Sequence, residues 1–140
     1  MTIQEKLAQW LCSFPGWGQE ILTLEQMELT PGSRGLFTMG CRELSRSRNI
    51  LGALRLRQRW QFQLRLVSSA KEETARWLEE LTQWIGKGEN APILGAEPEQ
   101  ERIWAEAGRF ARVDAAGTGT YTLQLWADMT ALYNEFERRA

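Results

Sequence analysis

The run from Leu54 to Leu66 reads Leu-Arg-Leu-Arg-Gln-Arg-Trp-Gln-Phe-Gln-Leu-Arg-Leu. It puts Leu54, Leu56, Trp60, Phe62, Leu64 and Leu66 in one phase and Arg55, Arg57, Arg59, Gln61, Gln63 and Arg65 in the other. The two-residue period breaks only at Gln58. A strand turns successive side chains to opposite faces, so this run buries one face of a sheet and leaves the other to water or to a partner. A helix would scatter the same leucines around its circumference. At about 3.3 Å per residue the strand would run roughly 40 Å, well beyond the usual length of about five or six residues, so it is expected to bend or to extend past the sheet. The rest of the chain has to pair it and cover it.

Before it, Thr2 and Glu5 have capping-box spacing, and Ile3, Leu7, Trp10, Leu11 and Phe14 follow at helical intervals until Pro15-Gly16. Leu22, Leu24, Met27 and Leu29 predict a strand whose phase slips once, closed by the turn residues Thr30 to Gly35. Phe37, Met39 and Cys41 open a second strand that runs into the polar segment Ser45 to Asn49. A turn near Asn49 to Gly52 then leads back along the long strand as a hairpin. After it, Ser69 and Glu72 repeat the capping-box spacing. Ala75, Trp77, Leu78, Leu81, Trp84 and Ile85 then lay an apolar stripe down a helix that Gly86 is expected to stop.

Residues 86–98 hold three glycines and two prolines and read as a long mobile loop. Ile103, Ala105 and Ala107 alternate, Gly108 is a candidate bulge, and Phe110 to Val113 leads to a turn over Ala115 to Gly119. Tyr121, Leu123, Leu125 and Ala127 begin the last strand. Beyond it, Met129, Leu132, Tyr133 and Phe136 fit a helix while Met129, Ala131 and Tyr133 continue the strand, and the strand reading to about Tyr133 is taken. The expected fold is α+β: a mainly antiparallel sheet of about five strands with two helices on one face, in the order helix, three strands, helix, two strands. Residues 1–140 are expected to form a single domain. Leu56, Phe62, Leu64, Leu66, Leu78, Leu81, Leu123 and Leu125 are its expected core.

Composition narrows the chemistry. There is no histidine, so the commonest general base and metal ligand is missing, and no enzymatic activity, cofactor or metal site is expected. Glu72-Glu73 and Glu79-Glu80 read as a solvated helix face, since consecutive residues on a helix point about 100° apart. Cys12 and Cys41 read as small apolar residues, and Gly86-Lys87-Gly88 and Gly117-Thr118-Gly119 as a helix end and a hairpin turn. With 17 basic and 18 acidic residues, no global field selects nucleic acid or an anionic membrane as the partner. No apolar run approaches the length of a membrane span, and the N-terminus lacks the form of a signal peptide, so synthesis in the cytosol is expected.

The arginine row is the most informative feature. Arg55, Arg57, Arg59 and Arg65 fill four of six outward positions, and arginine is favoured where its planar fork meets carboxylates, phosphates or a protein partner. Two readings stand side by side: the row pairs with acids on neighbouring strands, such as Glu43, or it contacts a partner.

The opening helix Ile3 to Phe14, the strand core Arg59 to Leu66, the helix Thr74 to Ile85 and the closing strand Tyr121 to Ala127 together resemble the tail terminators of tailed bacteriophages and prophages, also called minor capsid or minor tail proteins. Asn134 to Ala140 is longer and more charged than that family's usual ending. The resemblance implies a structural α+β subunit that assembles with copies of itself into a ring, usually of six. Such a ring caps the tail tube, stops its polymerisation and offers a surface for head attachment. The implied partners are the tail-tube protein, a head-tail connector protein and DNA passing through the opening, with no membrane. The implied location is the host bacterial cytoplasm during assembly and then the virion. Two rival readings are a small-molecule-binding α+β domain with a tryptophan-lined pocket and an assembly or secretion chaperone that binds an extended client along a strand edge.

Overall fold

A computed structural model describes residues 1–48, 50–106, 110–113 and 117–133. The elements in order are α1 (Ile3–Cys12), β1 (Leu22–Leu24), β2 (Arg34–Arg48), β3 (Leu54–Ser68), α2 (Lys71–Lys87), a 3-10 turn (Pro98–Gln100), β4 (Arg102–Glu106), β5 (Phe110–Val113) and β6 (Gly119–Tyr133). The strands form one sheet in the order β1-β2-β3-β6-β4, with β5 also on β6. Since β3 occupies one edge of β6 along its length, β4 and β5 share the other, and the sheet is five strands wide. All pairs are antiparallel except β1 with β2. This is the α+β architecture expected from the sequence.

The alternation at Leu54–Leu66 does what its period dictates. Phe62, Leu64 and Leu66 lie opposite Leu125, Leu123 and Tyr121 of β6, and these side chains, with Leu36 of β2, form the sheet side of the core. Leu7, Trp10 and Leu11 of α1 and Leu78, Leu81 and Ile85 of α2 cover them from one face. Each leucine buried this fully contributes about 1.5–3 kcal/mol by removal of apolar surface from water. Leu56 departs from the expected core: it is only half-buried. Beyond it β2, β3 and the end of β6 run on as a three-stranded arm whose register continues to Arg48, Leu54 and Tyr133, and Leu54, in the same phase as Leu56, is buried again.

Several boundaries move. The capping box at Thr2 forms, with the Glu5 amide donating to the Thr2 hydroxyl at 3.1 Å and the Thr2 amide donating to the Glu5 carboxylate at 3.3 Å. Its counterpart at Ser69 and Glu72 does not. α2 starts at Lys71 behind Ala70, which makes no side-chain cap. Ser68, the last residue of β3, supplies the hydroxyl instead, accepting from the Ala70 amide and from the Thr74 hydroxyl. Gly86 lies inside the helix, and Gly88 ends it in the left-handed conformation that a residue without Cβ adopts at no steric cost. The strand expected to run on to Leu29 stops at Leu24, because Glu25 turns to positive φ. β2 in turn absorbs Ser45 to Arg48, with register shifts between Thr38 and Gly40 and between Glu43 and Ser45. The last strand does extend to Tyr133. The Gly108 bulge, Ala107, Ala115, Asn49 and the segment 134–140 lie outside the described residues.

Much of the connection from α2 to β4 is bonded to the body. Leu94 is buried, the Leu94 and Gly95 amides donate to the Glu101 carboxylate, and the Ala96 amide donates to the Thr130 carbonyl at 2.8 Å. Lys6 and the Trp10 indole reach the carbonyls of Ile93 and Glu89. Gly95 packs so closely on the Thr130 carbonyl that a Cβ would overlap it.

Replacement of Leu64 or Leu81 by alanine is expected to lower stability by about 2–5 kcal/mol, whereas the same change at half-buried Leu56 costs less. Urea midpoints of the three variants check this ranking.

Candidate interaction surface

The face of the sheet away from the helices is built of cross-strand rows. One row runs Arg42, Arg59, Asp128, Arg102 and the next runs Gly40, Gln61, Trp126, Trp104. Arg59 makes a bidentate pair with Asp128, at 2.7 and 3.0 Å, and Asp128 is almost completely buried. Arg55 bonds to Glu97 at 2.5 Å and to the Gln100 side chain at 3.1 Å. Arg57 donates to the Gln100 carbonyl and to the buried Thr130 hydroxyl. Arg65 donates to Gln63 and lies 4.1 Å from the Phe37 ring centroid. The row is thus tied into the subunit by partners that the sequence did not single out. Glu43 pairs with Arg46 instead, on the exposed arm.

The missed partners share one cause. Asp128 and Thr130 stand in the second phase of β6, opposite Arg59 and Arg57, and that phase becomes readable only once the β3–β6 register is known. Glu97 and Gln100 come from the loop and 3-10 turn, whose position beside the end of β6 no local pattern encodes.

The aromatic residues divide between the two faces. Trp104 and Trp126 stack on the open face with centroids 5.9 Å apart, and the guanidinium groups of Arg59 and Arg102 lie 5.0 and 4.6 Å from the Trp104 ring. On the helix side, Trp10, Phe14, Trp17, Trp77 and Trp84 pack on one another with centroid distances from 4.8 to 5.9 Å. Arg34 is clamped there between Trp17 and Trp77, at 4.6 and 4.7 Å, and donates to the Trp17 carbonyl at 2.6 Å. Burial lowers the Arg34 pKa from its ordinary value. Trp77 and Trp84 are seven residues apart and so share a helix face, which is the one sign of this cluster that the sequence carries.

The remaining candidates are placed as follows. Cys12 and Cys41 are exposed rather than packed as small apolar residues, and partial burial of the sulfur raises both thiol pKa values, which disfavours the thiolate. Glu72, Glu73, Glu79 and Glu80 lie on the solvated side of α2. Among the described residues no three His, Cys, Asp or Glu side chains come close enough together to hold a metal ion, and no helix is long and apolar enough to cross a membrane. A concavity of about 660 Å³ lies at the far end of the molecule from the arm, between Gln19 and Arg34. No protein-family model matches the chain, and comparison with curated proteins finds no match.

Among the described residues three carboxyls have pKa values held below their ordinary 4.5: Glu97 by its hydrogen bond from Arg55, Glu25 by hydrogen bonds from Thr38, and Glu5 by those from Thr2. A group whose pKa is depressed by folding contributes its full stability above the unfolded value, and loses it as pH falls through the folded value. The urea midpoint should therefore decline as pH drops below about 4.5, with a shallower decline in Glu97→Gln. Asp128→Ala leaves Arg59 without its buried bidentate partner and should lower the midpoint more than Glu43→Ala, whose pair with Arg46 is exposed. Equal midpoints for the two variants would contradict the assignment of Asp128 as the anchor of the row.

Proposed function

We propose that this chain is a structural subunit that assembles with copies of itself, in the manner of the phage tail terminators it resembles. The observation that carries the reading is the outer edge of β2. β1 pairs with it only from Arg34 to Leu36, and from Thr38 to Arg48 all but Leu44 of the described residues are exposed. A strand edge of this length offers its backbone groups to another chain. Two register shifts and the charges of Arg42, Glu43, Arg46 and Arg48 protect it from indiscriminate pairing, while leaving a specific partner able to dock.

In this reading the ring, usually of six, forms in the host cytoplasm and caps the tail tube as part of the virion. One of its faces matches the last layer of tube, and the other presents a different surface to a head-tail connector protein. Growth stops because the next layer finds no copy of its own docking face. Part of the row Arg55, Arg57, Arg59 and Arg65 faces a neighbouring subunit or the phosphates of DNA in the opening. Arg59 gives two of its five N–H donors to Asp128, which leaves capacity for such contacts. A small-molecule-binding function finds less support, since Trp10, Trp17 and Trp84 pack on other aromatic rings and Trp77, which also packs on Trp17, borders a concavity of only about 220 Å³.

Light scattering over a concentration series, with electron microscopy of the product, tests the reading. The expected result is a closed ring of one discrete mass that restores tail length control to a phage lacking its terminator. A chain that stays monomeric throughout and fails to complement would overturn it.

A further inference from the structure

On the open face of the sheet, the row Gly40, Gln61, Trp126, Trp104 has no side chain at one end and two stacked indoles at the other. Beside Trp126 this row opens into a concavity of about 400 Å³, lined by Gly40, Cys41, Arg42, Arg59, Gln61 and Trp126. A Cβ at Gly40 would meet nothing within 4 Å, and Gln61 is drawn aside by its 3.2 Å hydrogen bond to Gln124. The concavity is therefore a slot that continues the indole stack across the sheet. The adjoining row is basic. Arg42 is exposed and makes no hydrogen bond or ion pair among the described residues. Arg59 gives Nε and Nη2 to Asp128 and keeps Nη1. Arg102 is exposed and lies on the Trp104 ring without an ion pair. Asp128, the one carboxylate of that row, is engaged through both oxygens, and Glu43 is bonded to Arg46. Glu106, opposite Gln124, bounds the basic surface on the far side of the tryptophans.

We infer that this face binds single-stranded nucleic acid, with one unpaired base stacked on Trp126 in the slot and the flanking phosphates on the arginine row. Two requirements select that ligand. The slot takes a flat ring, because its wall is an indole and its floor at Gly40 has no side chain, and every nucleobase offers a face for such stacking. The row beside it takes anions, and its free donors are spread out. Arg42 and Arg102 stand three strand spacings apart, about 14 Å, a span that one phosphate cannot bridge and successive phosphates of a strand can. A free nucleotide would reach only one end of the row. A duplex keeps its bases stacked on one another and so has none to place against Trp126.

The inference concerns the open face alone and does not depend on self-assembly. Fluorescence anisotropy of a labelled oligothymidylate of about twelve nucleotides, titrated with the full chain at low salt, tests it. Saturable binding that weakens with added salt is expected, with a duplex of the same length bound more weakly. Gly40→Leu fills the slot from an exposed position and should weaken binding of the single strand about tenfold or more, with little effect on the duplex. Arg42→Ser should weaken the single strand too and make its salt dependence shallower, since fewer counterions are released. Urea midpoints equal to the parent's establish that both variants fold. Thymidine monophosphate and poly-glutamate should displace the probe only in large excess. The inference is overturned if the parent shows no saturable binding, if the duplex binds as tightly as the single strand, or if folded Gly40→Leu binds like the parent. Displacement by poly-glutamate at equal charge, or by the monophosphate at equal nucleotide concentration, would likewise overturn it, the first showing charge without stacking and the second a ligand smaller than a strand.

Discussion

β3 is paired along both edges over its whole length, by β2 on one side and β6 on the other, and the register of those two ladders places nearly every other feature. A buried strand must satisfy its backbone N–H and C=O groups, and fifteen residues of strand require fifteen residues of partner on each side. Both flanking strands are accordingly as long. The register also decides what faces what. A slip of one residue would turn Phe62, Leu64 and Leu66 to water and bring the arginines against the helices, at the loss of the whole sheet side of the core.

Once the faces are assigned, the molecule uses its charged and aromatic residues differently on each. Toward the helices, Arg34 is accepted into a largely apolar layer because two indole faces and a carbonyl replace part of its hydration. On the open face, Arg55, Arg57 and Arg59 are held by groups on β6 and on the segment that follows α2, so the arginines fasten that segment to the sheet. Farther out, β2, β3 and the end of β6 form an arm with an exposed, charged edge strand and with Ile50 and Leu51 exposed at its tip.

Elements with a strong local cause were legible in the residues. The capping box at Thr2, the stripe of Leu78, Leu81 and Ile85, the alternation from Leu54 to Leu66 and the run from Tyr121 to Tyr133 each follow from hydrogen-bond geometry or periodicity within a few residues. Failures fell where distant groups compete. Ser69 has the spacing of a cap, but Ser68 at the end of the strand supplies the hydroxyl to Thr74. Gly86 has the composition of a stop, yet the helix runs on to Lys87 and Gly88 takes the left-handed position. Leu56 belongs to the apolar phase, yet it is half-buried while Leu54, further out in the same phase, is buried, a difference that periodicity does not carry.

The sequence by itself determined which residues share a face, because a side-chain period of two or of 3.6 is a property of the local backbone. It also determined that arginine would dominate one of those faces. The tertiary structure alone decided which acids meet those arginines, why the loop glycine at Gly95 has no room for a side chain, and where the two helices stop covering the sheet. Those outcomes depend on register and on the docking of segments far apart in the chain, 42 residues for Arg55 with Glu97 and 69 for Arg59 with Asp128. Contacts at that separation are selected by the packing of the whole chain, and no window of neighbouring residues contains the terms that decide them.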